Sequence, residues 1–167
     1  VIFGFNSLIR RRNRVKEAWS DIDVQLKRRY DLIPNLVETV KGYAAHEQQT
    51  FQQVIEARSK AMGAHSVGEH QQAENMLSGA LKNLFALAEA YPQLRASENF
   101  QRLQTDLTDT EDKLQAARRF YNSTVRDYNT AIQQVPTNIL ASIFNFKEQE
   151  FFELSSASEA SVPKVDF

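Results

Sequence analysis

Apolar residues recur every three or four positions along most of the chain, which is the spacing of one face of an α-helix. The first stripe consists of Val15, Trp19, Ile22, Leu26, Tyr30, Ile33, Val37, Val40, Ala44, Phe51 and Val54. It predicts one helix over residues 10–61, longer than most globular helices. Pro34 lacks the amide hydrogen that the preceding turn needs, so we expect a kink near it.

Two further stripes predict helices at about 69–91 and 97–135, and a weaker pattern predicts a short helix over 137–146. The segment 62–68 holds two glycines and loses the period, which is typical of a loop. The chain has only five Gly and four Pro, so few positions interrupt helices. The sequence therefore predicts an all-α fold: an antiparallel bundle of three long helices, the first longest, plus a short C-terminal helix. Residues 10–146 form the bundle and 147–167 a C-terminal tail.

The amino-terminal residues 1–9 are nearly all apolar and run directly into basic residues. The basic cluster consists of Arg10, Arg11, Arg12, Arg14 and Lys16. Because spanning helices usually meet the cytoplasm in this way, we interpret residues 1–9 as the end of a truncated transmembrane helix. The alternative is an apolar helix start that docks on the bundle.

The charge of the chain is divided unevenly. Residues 1–30 hold eight Lys or Arg and three Asp or Glu, whereas the rest hold 12 and 18. In one interpretation, the basic cluster fixes the orientation of the transmembrane helix in the bilayer and contacts anionic lipid headgroups. In the alternative, it is an ordinary solvated helix face. The acidic remainder would repel phosphates, so nucleic acid is not an expected partner.

Residues that could support catalysis or metal binding are sparse. Cysteine is absent, and the chain has no Glu-x-x-His motif, no His-Glu-x-x-His motif and no glycine-rich phosphate loop. His65, Glu69, His70 and Glu74 could cluster where a loop meets a helix, but solvated cap residues explain them better. We therefore expect no catalytic residue, no cofactor and no metal.

Tyr121-Asn122 and Tyr128-Asn129 repeat at a spacing of seven residues, which places like residues on one helix face. The asparagines are interpreted as register control at a helix interface, with a ligand pocket as the alternative. Trp19 lies on the apolar stripe and is expected in the core.

Several segments together resemble the LemA family of bacterial membrane-associated proteins. They are residues 14–29 (RVKEAWSDIDVQLKRR), 31–37 (DLIPNLV), 91–94 (YPQL), 118–129 (RRFYNSTVRDYN), 135–141 (VPTNILA) and 151–167. The resemblance implies one N-terminal transmembrane helix followed by a bundle of long helices, in a family without an established molecular activity. Val135 stands where a Phe is usual, Asn145 stands where a Gly usually separates two Phe, and most of the spanning helix is absent.

These patterns favour a non-enzymatic, single-pass scaffold or protein-binding module in the bacterial cytoplasmic (inner) membrane, with the bundle on the cytoplasmic side. The expected partners are the lipid bilayer, through the N-terminus, and other membrane-associated proteins. One alternative is a homo-oligomer that assembles to organise the membrane. A second alternative is a cryptic metal-binding protein or enzyme.

Overall fold

In the computed structural model, residues 2–134 and 136–153 are described, and every regular element in those ranges is an α-helix. The helices are α1 (Ile2–Lys41), α2 (Gln48–Met62), α3 (Val67–Ala88), α4 (Pro92–Arg95), α5 (Glu98–Gln133) and α6 (Thr137–Ile143). The predicted all-α class, the long first helix and the short C-terminal helix are confirmed. Val135 and most of the predicted tail, residues 154–167, lie outside the described residues.

The two longest helices, α1 and α5, lie side by side and antiparallel. Their apolar stripes are buried against the rest of the bundle, including Ile22, Leu26 and Ile33 on α1 and Leu107, Leu114 and Val125 on α5. Ion pairs flank this contact at two levels: Arg11 lies 3.2 Å from Asp127, and Arg28 lies 3.0 Å from Asp109. These pairs are partly exposed and each contributes at most about 1 kcal/mol, so burial of the stripes holds the two helices together.

Helices α2 and α3 form a shorter hairpin that packs on α1. The start of α2 returns along α1, since the Lys41 ammonium lies 5.8 Å from the Phe51 ring centre. Helix α3 then runs in the same direction as α1, because His70 lies beside Trp19 and the Tyr91 hydroxyl donates to Glu47 (3.4 Å). The four main helices thus alternate in direction, as in an antiparallel four-helix bundle.

The structure differs from the sequence prediction in where the first helix ends. The predicted helix over residues 10–61 is two helices, separated by a turn at residues 42–47. The apolar stripe crosses this turn without losing phase, since Ala44 is buried in the turn and Phe51 is buried on α2. Periodicity therefore did not distinguish a straight helix from one that folds back, and the local signals of the break were Gly42 and the polar Glu47 between Ala44 and Phe51. The short helix α4 was also not predicted.

Pro34 lies inside α1, and the helix continues through it to Lys41. Proline has no N–H, so the carbonyl of Tyr30, four residues earlier, loses its helical donor. The Arg58 side chain of α2 replaces that donor, with its Nε atom 2.8 Å from the Tyr30 oxygen. A side chain from a neighbouring helix therefore satisfies the backbone group that the proline leaves without a partner.

We predict that Arg58→Met lowers the free energy of unfolding by about 1–3 kcal/mol, because it leaves the Tyr30 carbonyl unsatisfied. The same substitution in a Pro34→Ala background costs less, since alanine at that position restores the backbone donor. Urea unfolding of the four chains of this double-mutant cycle measures the difference. Lys60→Met, on the exposed face of α2, is the control and stays within about 0.5 kcal/mol of the parent. Equal costs of Arg58→Met in both backgrounds would contradict the assignment.

Candidate functional site

The chain leaves α6 through a tight turn and returns along α5 as an extended strand-like stretch. The Phe146 amide donates to the Ala141 carbonyl (2.8 Å), and the Asn145 amide to the Ser142 carbonyl (3.4 Å). This pair of bonds is a Schellman cap, with Asn145 in the left-handed region at φ 59°. Glycine is favoured at such a position because it has no Cβ, and asparagine is tolerated there.

Residues 146–153, which we call the C-terminal segment, are held by the two asparagines predicted at seven-residue spacing. Asn129 donates to the Gln149 carbonyl (3.1 Å) and accepts from the Gln149 amide (2.9 Å). Asn122 donates to the Phe152 carbonyl (2.9 Å) and accepts from the Phe152 amide (2.8 Å). Each asparagine thus pairs with one residue of the segment as a neighbouring β-strand would.

The spacing of the two asparagines matches the spacing of the residues they bind. Seven residues of α-helix advance about 10 Å, at about 1.5 Å per residue. Three residues of extended chain advance about the same distance, at about 3.3 Å per residue. Two asparagines seven residues apart on α5 therefore lie at the right distance to bond every third residue of an extended chain. The asparagine amides bond this segment rather than a neighbouring helix.

An aromatic pocket holds the side chain of Phe152, which is fully buried. The rings of Trp19 and Phe152 lie 5.4 Å apart, as do those of Trp19 and Tyr121, both in edge-on arrangements. The Tyr121 hydroxyl donates to the Glu150 carbonyl (2.9 Å). Burial, with a smaller contribution from Glu150, raises the pKa of Tyr121 to about 12, so the hydroxyl remains a donor at neutral pH.

The two ends of the segment extend these contacts to other helices. The guanidinium of Arg12, on α1, lies 4.8 Å from the ring centre of Phe146. The Glu153 amide donates to the Gln71 side chain of α3 (3.0 Å), and the Glu153 carboxylate lies 3.5 Å from Arg118 of α5. The segment therefore contacts α1, α3 and α5, and its groove is formed by these three helices.

A second polar cluster is buried between α1 and α3. Glu74 is fully buried, accepts a hydrogen bond from the Tyr30 hydroxyl and lies 3.6 Å from Arg29. Arg29 also donates to the Ser78 hydroxyl (2.8 Å). Burial raises the pKa of Glu74, while Arg29 opposes that shift, and burial lowers the pKa of Arg29. A cavity of about 70 Å³ adjoins Arg29 and Ser78, well below the size of typical small-molecule pockets.

The four residues considered for metal binding have separate roles. Glu69 accepts from the His65 amide (2.8 Å) and helps to cap the start of α3, beside the N-cap Ser66. His70 lies against Trp19, and Glu74 belongs to the buried cluster with Arg29. Among the residues that the structure describes, no three His, Asp or Glu side chains group to hold a metal ion.

The predicted basic cluster is divided by the fold. Arg11 pairs with Asp127, and Arg12 covers Phe146, so both contribute to packing between elements. Arg10, Arg14 and Lys16 are exposed. Two of the five members of the predicted basic cluster therefore contact other parts of the bundle, and a membrane-border role for the cluster stays a prediction.

The apolar residues at the start of α1 pack on α6. The rings of Phe5 and Phe144 lie 4.7 Å apart, and Leu8 is fully buried, which is the geometry of the docking alternative. Ile2 and Phe3 remain exposed. Within residues 2–134 and 136–153, no helix combines the length and the apolar character that crossing a bilayer requires.

The remaining predicted residues have distinct places. Tyr121 and Tyr128 are almost completely buried on α5, and Trp19 is half-buried at the groove. The sequence prediction missed the C-terminal segment as the partner of the asparagines. It also missed the pairing of Arg29 with Glu74: Glu74 was considered only for metal binding, and Arg29 directly precedes a stripe residue, Tyr30.

The fold and groove define a class of all-α bundle proteins in which the last long helix holds an extended C-terminal segment. The LemA family model matches residues 18–167, so this chain belongs to the LemA family and the predicted resemblance is confirmed. It is 24% identical to the magnetosome protein MamQ of Magnetospirillum gryphiswaldense, over 97% of this chain and 69% of that protein. Magnetosome protein MamQ 2 of Paramagnetospirillum magneticum matches with the same identity and coverage. Protein LemA of Metamycoplasma hominis is 27% identical, over 94% of this chain and 72% of the relative.

We predict that Asn122→Ala lowers the free energy of unfolding by about 2–5 kcal/mol, since the buried amide and carbonyl of Phe152 both lose their partners. Trp19 is the only tryptophan, so its fluorescence reports release of Phe152 alongside global unfolding. The control is Asn99→Ala, which removes one exposed hydrogen bond to Thr39 and changes stability by less than about 1 kcal/mol. A cost for Asn122→Ala no larger than that of Asn99→Ala would contradict the pairing.

We predict opposite effects for two substitutions of Asn145. Asn145→Gly raises the free energy of unfolding by up to about 1 kcal/mol, because glycine adopts the left-handed region without steric cost. Asn145→Ala lowers it by about 1 kcal/mol, because alanine has a Cβ but lacks the short polar side chain with which asparagine tolerates this conformation. Thermal and urea unfolding measure both. Two substitutions of equal effect would exclude a left-handed residue at this turn.

Proposed function

We propose that this chain is a membrane-associated scaffold whose bundle attaches to the bilayer at the end formed by α1 and α6. The observation that supports this is a group of exposed apolar side chains at that end, which we call the apolar cap. Each of its side chains is between 52% and 89% exposed. The cap consists of Ile2, Phe3, Ile139, Ile143 and Phe144. Single exposed apolar residues are ordinary, but a cluster on one end of a bundle is typical of an interaction surface.

The position of the exposed basic residues supports a lipid partner for the cap. Arg10 lies seven residues after Phe3 on α1, about 10 Å along the helix at about 1.5 Å per residue. Each headgroup layer is about 5–8 Å thick, so a basic side chain at that level reaches anionic headgroups when the cap enters the acyl region. Arg14, one turn further along α1, is exposed on the same face as Arg10, and Lys16 is exposed on a different face.

The finer form of this proposal is single-pass attachment to the bacterial inner membrane, with the bundle on the cytoplasmic side. It is supported by the apolar-then-basic order at the start of α1, which is typical of the cytoplasmic end of a spanning helix. The scaffold role is supported by the groove between α1, α3 and α5, which holds the backbone of the extended C-terminal segment.

We predict that the chain cosediments with vesicles of phosphatidylethanolamine and phosphatidylglycerol. The double variant Phe3→Ser/Ile143→Ser weakens this binding by at least about tenfold, because each side chain contributes about 1.5–3 kcal/mol when fully buried. Arg10→Gln weakens it by up to about fivefold and only at low salt, since one charge near an anionic surface contributes about 1 kcal/mol.

The matched control is Val24→Ser, which removes an apolar side chain that is 61% exposed on α1 but distant from α6. Its vesicle binding equals that of the parent. Circular dichroism verifies that all variants keep their helices. A loss of binding in Val24→Ser as large as that in the double variant, or no binding by the parent, would overturn the proposal.

A further inference from the structure

The groove that holds the C-terminal segment is a complete binding site for an extended polypeptide. It supplies backbone partners through Asn122 and Asn129, an enclosed pocket for Phe152, and a cation over Phe146. None of these contacts depends on which chain carries the segment, because each joins the segment to groups on α1, α3 or α5. Any chain that presents the same residues makes the same contacts.

We propose that the C-terminal segment of one copy binds in the groove of a second copy, so that neighbouring molecules are joined by exchange of residues 146–153. The occupant is a second copy because this sequence meets every requirement of the groove. Its aromatic residues, Phe146 and Phe152, fall at the cation and at the pocket, and its final carboxylate, Glu153, faces Arg118. Such reciprocal exchange of an identical element is a low-cost route to a dimer.

The hinge for exchange is the turn between α6 and the segment. Among the residues that the structure describes, Asn145 is the only one with a positive φ. A change of its backbone angles, with release of the Phe146 amide from Ala141, redirects the segment away from its own bundle. Helix α6 stays in place through its contacts with α1, including that of Phe144 with Phe5.

Concentration decides between the two arrangements, because the contacts between the segment and the groove are the same in both. A short tether gives an effective concentration in the millimolar range, so the segment occupies its own groove in dilute solution. Binding of the segment to a second copy becomes as frequent as binding to its own groove when the local concentration of chains also reaches millimolar values. This inference deepens the proposed function: attachment of the α1–α6 end to a membrane would supply such crowding, and the partner of the scaffold is another copy.

The test uses the absence of natural cysteine from the chain. Gln71→Cys and Glu153→Cys place thiols at two positions that are in contact, since the Glu153 amide lies 3.0 Å from the Gln71 side chain. The two single variants are mixed and treated with a short thiol-specific crosslinker. A covalent pair of one of each forms when the segment of one chain lies in the groove of the other. At micromolar protein, the chain with both substitutions crosslinks internally and stays monomeric.

The control mixture pairs Glu153→Cys with Glu98→Cys, an exposed position at the opposite end of α5. At millimolar protein we expect at least about fivefold more covalent pair from the Gln71 mixture than from the control, and no excess at micromolar protein. Adding Asn122→Ala to both chains speeds the formation of the pair, because exchange requires release of the segment. Pair formation that does not change with Asn122→Ala indicates random collision and overturns the proposal.

Equal yields in the two mixtures at millimolar protein, with efficient internal crosslinking of the double variant, would also overturn exchange. The experiment is done in solution without lipid, so its failure leaves vesicle binding unaffected. Failure of vesicle binding likewise leaves the result in solution standing. The two proposals are therefore tested separately.

Discussion

The backbone amides and carbonyls of the C-terminal segment need hydrogen-bond partners, and this requirement determines how the segment lies against α1, α3 and α5. An extended stretch that leaves its amides and carbonyls unpaired in a buried place loses about 1–3 kcal/mol for each group. Asn122 and Asn129 remove that penalty at Phe152 and Gln149. With the backbone satisfied, the Phe152 ring can enter the core beside Trp19, and the ends of the segment can contact α1 and α3.

The same solution occurs inside α1, where a side chain replaces a missing backbone partner. Arg58 serves the carbonyl of Tyr30 because Pro34 cannot. In both places the substitute comes from a different element of the chain, so a local requirement becomes a tertiary contact. Arg58 attaches α2 to α1, and the asparagines attach the segment to α5. The proline in α1 and the extended segment after α6 both lack regular backbone hydrogen bonds, and the side chains that replace those bonds fix the position of α2 on α1 and of the segment on α5.

The stripes on α3 and α5 predicted their helices to within three residues at each end, because each stripe ends near a proline, a glycine or a serine cap. The turn at residues 42–47 escaped prediction since the stripe keeps its phase across it. The asparagine repeat identified the right residues at the groove, but periodicity describes one helix face and says nothing about a partner. Gln149 and Phe152 lie in a stretch without helical period, and their pairing depends on where α6 redirects the chain.

The pairing of α1 with α5 has a consequence for the order in which the protein is made. Arg11 and Asp127 are in contact although 116 residues separate them in the chain. During synthesis α1 leaves the ribosome first, yet the helix that covers its apolar stripe emerges almost last. We expect the α2–α3 hairpin, whose contacts are local in the chain, to form early, and the face of α1 that packs on α5 to stay uncovered until α5 is made. Early contact of the start of α1 with a lipid surface would separate nascent chains from one another during that interval.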